Sequence, residues 1–135
     1  MSMFRRLIVI GGDAAGMSAA SQARRRDSAL EITVYERGQY ISYAACGMPY
    51  LVGGLVSDPQ QLVARRPEDF ERQNIRVLTQ HEVMSIDIAA QSVSVQPLKG
   101  EAFTETYDEL LIATGARPAL PDISGLETPG VFALR

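Results

Sequence analysis

Continuous apolar runs and partly alternating ones divide the chain into elements. Leu7-Ile8-Val9-Ile10 is unbroken and stops at Gly11-Gly12, the pattern of a strand buried on both faces of a parallel sheet. Ala14, Ala15, Met17, Ala19, Ala20 and Ala23 follow, in a run that ends at Arg24-Arg25-Arg26. These are strong helix formers, and cations in a last turn suit the negative end of the helix dipole. Asp27 and Ser28 break the pattern. Ile32-Thr33-Val34-Tyr35 predicts a second strand ending at Glu36 and Arg37, which completes one βαβ unit. Residues 38–43 read as loop, and residues 47–54 as a short helix that Gly53-Gly54 ends. Asp58-Pro59 opens a turn. Residues 67–72 predict a helix with Pro67 and acids in its first turn, and Ile75–Leu78 a short strand.

The last third changes character. Residues 82–88, 92–96 and 102–107 alternate in part and are split by short polar connections, which predicts a three-stranded antiparallel meander. Leu110-Leu111-Ile112-Ala113 is again continuous and apolar, a buried strand that Thr114-Gly115 ends. Pro118, Pro121, Gly125, Pro129 and Gly130 make the remainder loop. The expected fold class is therefore α/β, with a parallel sheet plus an antiparallel meander.

Composition narrows the function classes. With 46% hydrophobic and 21% charged residues over 135 positions, the chain reads as globular and as one domain. The formal net charge of −3 and the lack of aromatics among the Arg24–Arg26 triplet argue against nucleic-acid binding. One Cys excludes an intramolecular disulfide framework or a Cys-rich metal cluster. No apolar run approaches the ~18 residues of a membrane span, and the apolar run after Met1–Arg6 is too short for a signal peptide. A cytoplasmic location is the expectation.

The turn Gly11-Gly12-Asp13-Ala14-Ala15-Gly16 sits between strand and helix, where a dinucleotide fold needs glycines. Gly11 suits the tight turn and Gly16 the close packing of helix on strand. The helix head offers N–H groups to a pyrophosphate. Glu36 stands 20 residues after Gly16, at the end of the second strand, where a carboxylate accepts from ribose hydroxyls. Asp13 replaces the middle glycine of G-x-G-x-x-G. A carboxylate facing phosphate repels it, so Asp13 is expected to point away and to cap the helix. These features do not separate FAD from NAD.

Two further segments carry a family resemblance. Residues 107–118, with Ala113-Thr114-Gly115-Ala116-Arg117-Pro118, resemble the A-T-G-x-x-P segment of flavoproteins with two dinucleotide-binding domains. Ile41-Ser42-Tyr43-Ala44-Ala45-Cys46-Gly47-Met48-Pro49-Tyr50 resembles the single-cysteine branch of the pyridine nucleotide-disulfide oxidoreductases, which includes coenzyme A-disulfide reductases, CoA-persulfide reductases and NADH oxidases. The resemblance implies a Rossmann-like FAD-binding domain. It implies FAD contacts by Gly11, Gly12, Ala14, Ala15, Gly16, Glu36, Arg37, Val83, Ala113, Thr114 and Gly115. It also implies NAD(P)H as reductant, bound by a domain outside these residues, and a homodimeric full-length protein. On this reading the 135 residues are the amino-terminal part of an FAD domain, inactive alone.

Cys46 is the expected redox nucleophile. Two-cysteine relatives carry C-x4-C, whereas Leu51 stands five positions after Cys46, so any disulfide partner is a substrate thiol, or Cys46 cycles through sulfenic acid. A helix starting near Gly47 would favour its thiolate. The alternative is an inert cysteine. Ser18, Gln22 and Arg25 share one helix face at i, i+4 and i+7. These three and Ser42 match substrate-contacting positions of coenzyme A-disulfide reductases, and the alternative is a solvated face. Ala45 stands where those reductases often carry Asn. His81 is read as structural or surface, and no residue as a metal ligand. The implied activity is NAD(P)H-dependent reduction of a disulfide or persulfide, coenzyme A disulfide first. Reduction of oxygen by the same cysteine, a non-catalytic flavin-binding module and the NAD domain of a dehydrogenase are the alternatives.

Overall fold

The computed structural model describes residues 5–134. Four parallel strands form the main sheet in the order β3 (Ile75–Thr79), β2 (Glu31–Glu36), β1 (Arg6–Ile10), β7 (Glu109–Ile112). Helix α1 (Ala14–Arg26) connects β1 to β2. The chain then moves outward to β3 and returns across to the other side of β1 for β7, pairing Ile10 with Ile112. That reversal makes the carboxyl ends of β1 and β7 a topological switch point, where a doubly wound sheet leaves a crevice.

The two central strands, β1 and β2, are covered on both faces, which is why they read as apolar runs. By contrast β7, expected to be buried, lies at the sheet edge with no fully buried residue and Ile112 exposed. On one face Val9, Ile32, Val34 and Val77 pack with Met17 and Ala20 of α1 and with Phe70 of α3 (Pro67–Glu71). On the other face Ile8, Ile10 and Tyr35 pack against Val93 and Val95. These valines belong to the antiparallel meander β4 (His81–Asp87), β5 (Ser92–Pro97), β6 (Phe103–Thr106). The buried Tyr35 hydroxyl donates to Glu105 of β6, tying sheet to meander.

Between β2 and α3 the chain is short-range and irregular. A single 3-10 turn (Ala45–Gly47) carries Cys46 and leads into α2 (Met48–Val52), which ends at Gly53. A second 3-10 turn, Pro59–Leu62, is initiated by the Asp58 carboxylate accepting from Gln60 N at 2.8 Å. The sequence signalled only a turn there. An antiparallel bridge between Tyr43 and Val63 joins the two loops, with Ala44 N donating to Leu62 O and Ala64 N to Ser42 O. Among the described residues no helix is long and apolar enough to cross a membrane.

Candidate functional site

The switch point is built from two interlocked turns. Gly11 has φ +109°, and a Cβ there would collide with the Ala113 carbonyl. Glycine therefore lets the β1 turn nest against the β7 turn, where Ala113 N donates to Ile10 O at 2.8 Å. A Cβ on Gly16 would collide with the Gly11 carbonyl, so this glycine seats α1 on the loop. The first intrahelical bond runs from Met17 N to Asp13 O at 2.9 Å. The helix itself offers no acceptor to the N–H groups of Ala14 and Ala15, which head it.

Glu36 holds the loop from the side. One oxygen accepts from Gly12 N at 2.8 Å and the other from Gly38 N at 2.7 Å. Each carboxylate oxygen keeps a further lone pair for a hydroxyl. Asp13 occupies the N-cap position of α1 but makes no side-chain cap bond, contrary to the expectation from sequence. Its Oδ1 is buried and has no partner. Asp13 as a residue lines both cavities that flank the loop.

The larger cavity is a groove of about 940 Å³ along the carboxyl ends of the strands. Gly11, Glu36, Arg37, Val83, Ala113, Thr114 and Gly115 line it. Gly12 and Gly16 are buried behind it, and Ala15 is exposed outside both linings. His81 also lines the groove. Its Nδ1–H donates to Thr79 O at 2.7 Å, and its ring packs with Tyr35 and Phe103. The imidazole is thereby fixed as a wall element. Groove size, glycine turns, helix head and the Glu36 carboxylate at the end of β2 together suit a dinucleotide.

The smaller cavity, about 420 Å³, lies between α1 and the bridged loops. Ser18, Arg25 and Ser42 line it, as do Ser21, Tyr43, Arg65 and Phe70. Gln22 is not in the lining. Its Oε1 accepts from Arg25 Nε at 3.2 Å and from Nη2 at 2.6 Å, which orients that guanidinium. Sequence reasoning missed Tyr43, Arg65 and Phe70. Tyr43 and Arg65 reach the cavity through the Tyr43–Val63 bridge, which leaves no local pattern in the sequence, and Phe70 reaches it from the core side of α3.

Asp13 and Tyr43 line both cavities. Ala44 faces the smaller one and Ala45 the larger, so the segment leading to Cys46 is the partition between them. Cys46 is exposed, belongs to neither lining, and is a free thiol. A dinucleotide-sized groove and an arginine-bearing cavity thus meet at Ala44–Ala45, next in the chain to an exposed thiol that lines neither.

The family described as pyridine nucleotide-disulphide oxidoreductase matches residues 5–135. The NADH oxidase of Methanocaldococcus jannaschii is 35% identical over 131 residues, covering 96% of this chain and 29% of its own length. The coenzyme A disulfide reductase of Staphylococcus aureus is 38% identical over 132 residues, covering 96% of this chain and 30% of its own length. The solved NAD-dependent persulfide reductase from A. fulgidus superposes with a TM-score of 0.85 at 45% identity, over 93% of this chain and 24% of that one. The chain thus spans about 30% of the length of the curated relatives it matches.

Proposed function

Since the chain belongs to the pyridine nucleotide-disulphide oxidoreductase family, we propose that it is the amino-terminal part of the FAD domain of an enzyme that reduces a coenzyme A-type disulfide or persulfide through Cys46. The family binds FAD and NAD(P)H. Bound FAD supplies a two-electron relay from NAD(P)H to sulfur. The observation that carries the reading is the partition: the backbone just before Cys46 separates the groove from the cavity that holds Ser18, Arg25 and Ser42.

The residues divide the work. The Gly11–Gly16 loop and the head of α1 would hold the pyrophosphate of FAD, Glu36 its ribose, and the Ala113–Gly115 turn would contribute backbone to its binding. Arg25, set by Gln22, binds phosphate on the substrate. Cys46 thiolate attacks one sulfur of the disulfide, which forms a mixed disulfide and expels the other half as a thiolate that takes a proton from solvent. Two electrons from NAD(P)H and one proton then cleave the mixed disulfide, which releases the second thiol and regenerates the thiolate. The nicotinamide and dimerisation domains belong to the rest of a homodimeric cytoplasmic protein.

The likeness to NADH oxidases, and Ala45 with no side-chain amide to offer a substrate, favour a second reading in which oxygen is the acceptor. An anaerobic visible spectrum of the full-length protein, before and after one equivalent of NADH, tests the first. The expected result is a flavin spectrum with a long-wavelength charge-transfer shoulder that Cys46→Ser abolishes. A flavin spectrum without the shoulder removes Cys46 from the mechanism, and a colourless folded protein removes FAD. Oxygen consumption with no disulfide present selects the second reading.

A further inference from the structure

The smaller cavity has a chemical direction. Asp13 stands at its end beside the groove, and Arg25 stands twelve residues further along α1, a rise of about 18 Å. Asp13 thus stands at the groove end of the cavity and a guanidinium stands far from it. A second cation stands in the same lining. Arg65 precedes α3, and its guanidinium lies 3.9 Å above the centre of the Phe70 ring. Phe70 is itself 1% exposed and belongs to the core, so the platform under Arg65 is rigid. Of the five guanidinium donors, one is directed to Asp69 O, at 3.4 Å. Arg65 makes no ion pair among the described residues, whereas Arg5, Arg6, Arg37, Arg72 and Arg76 each do. The flat face of the guanidinium is fixed on Phe70, and its donors stay available to an anion beside it.

We infer that Arg65 is a specificity-determining residue. It binds, together with Arg25, a phosphate group on the substrate and thereby selects phosphorylated thiol disulfides over unphosphorylated ones. This rests on the disulfide-reducing reading for the identity of the substrate, but not for the anion site itself. The Tyr43–Val63 bridge is what brings the Arg65 loop to the cavity facing α1.

Two measurements on the full-length protein test it. Calorimetric titration with adenosine 3′,5′-bisphosphate reads the anion site without turnover. Arg65→Gln is expected to weaken that binding at least about tenfold, the loss of one charge-assisted hydrogen bond. Arg65→Lys, which keeps the charge but not the fork, is expected to lose less. In turnover, Arg65→Gln is expected to raise KM for coenzyme A disulfide about tenfold, with kcat and the KM for pantetheine disulfide unchanged. Equal bisphosphate affinity in wild type and both variants overturns the inference. So does a KM change shared by both disulfides, since a merely structural role would move them together. If no disulfide supports NADH oxidation while bisphosphate affinity still depends on Arg65, the reaction reading fails and the anion site stands.

Discussion

Gly11 and Gly115 both carry positive φ, +109° and +70°, but their surroundings differ. A Cβ on Gly11 meets the Ala113 carbonyl, whereas one on Gly115 meets nothing within 4 Å. Gly11→Ala therefore adds a backbone clash to conformational strain, and is expected to cost about 3 kcal/mol or more and to lower flavin content. Gly115→Ala carries only the strain, about 1–2 kcal/mol. Urea titration of the two variants should separate them, and equal losses would mean that the two turns are not interlocked. The distinction was invisible in the sequence, where both residues simply follow an apolar strand. Glu36 is a similar case. Its place after the second strand was legible from the 20-residue spacing, but its grip on Gly12 and Gly38 was not, because those bonds depend on where the loops return.

At the scale of elements, what was legible is what is periodic. The βαβ unit, the last parallel strand and the three strands of the meander follow from apolar runs of matching length. The Pro59–Leu62 turn and the bridge beside it have no such signature, since their partners are an aspartate side chain and a loop twenty residues away. The end of α1 illustrates how an element is secured without periodicity. Arg24 donates to Ser28 O at 2.7 Å and to Asn74 O at 2.7 Å, so one guanidinium joins the helix end to the loop before β3. Arg25 and Arg26 are exposed, and this task falls to Arg24 alone of the triplet. Arg24→Ala is expected to destabilise the fold by about 1 kcal/mol, because it removes both hydrogen bonds while water reaches the exposed carbonyls. Arg26→Ala should change stability by less than about 0.5 kcal/mol. Comparable losses in the two would refute this account.

For the molecule as a whole, the joint between the two sheets is sensitive to alkali. Burial, then the hydrogen bond to Glu105 and its charge, push the Tyr35 hydroxyl well above the ordinary tyrosine range. A raised pKa means that the folded state keeps a proton which the unfolded state gives up. Its contribution is therefore complete below about pH 10 and declines as the pH rises beyond it. Wild type should lose stability above pH 10 more steeply than Tyr35→Phe, by at most about 1.4 kcal/mol per pH unit for one proton. Parallel profiles for the two proteins would disprove it. The other joint is the wall that Asp13 and Tyr43 give to both cavities. A ligand in either cavity would meet the same two residues, which gives the two sites a physical route for coupling. Whatever free energy one occupant adds to or takes from the other is returned in equal measure when the order of arrival is reversed. Asp13 and Tyr43 are thus the side chains through which the filling of one chamber would be felt in the other.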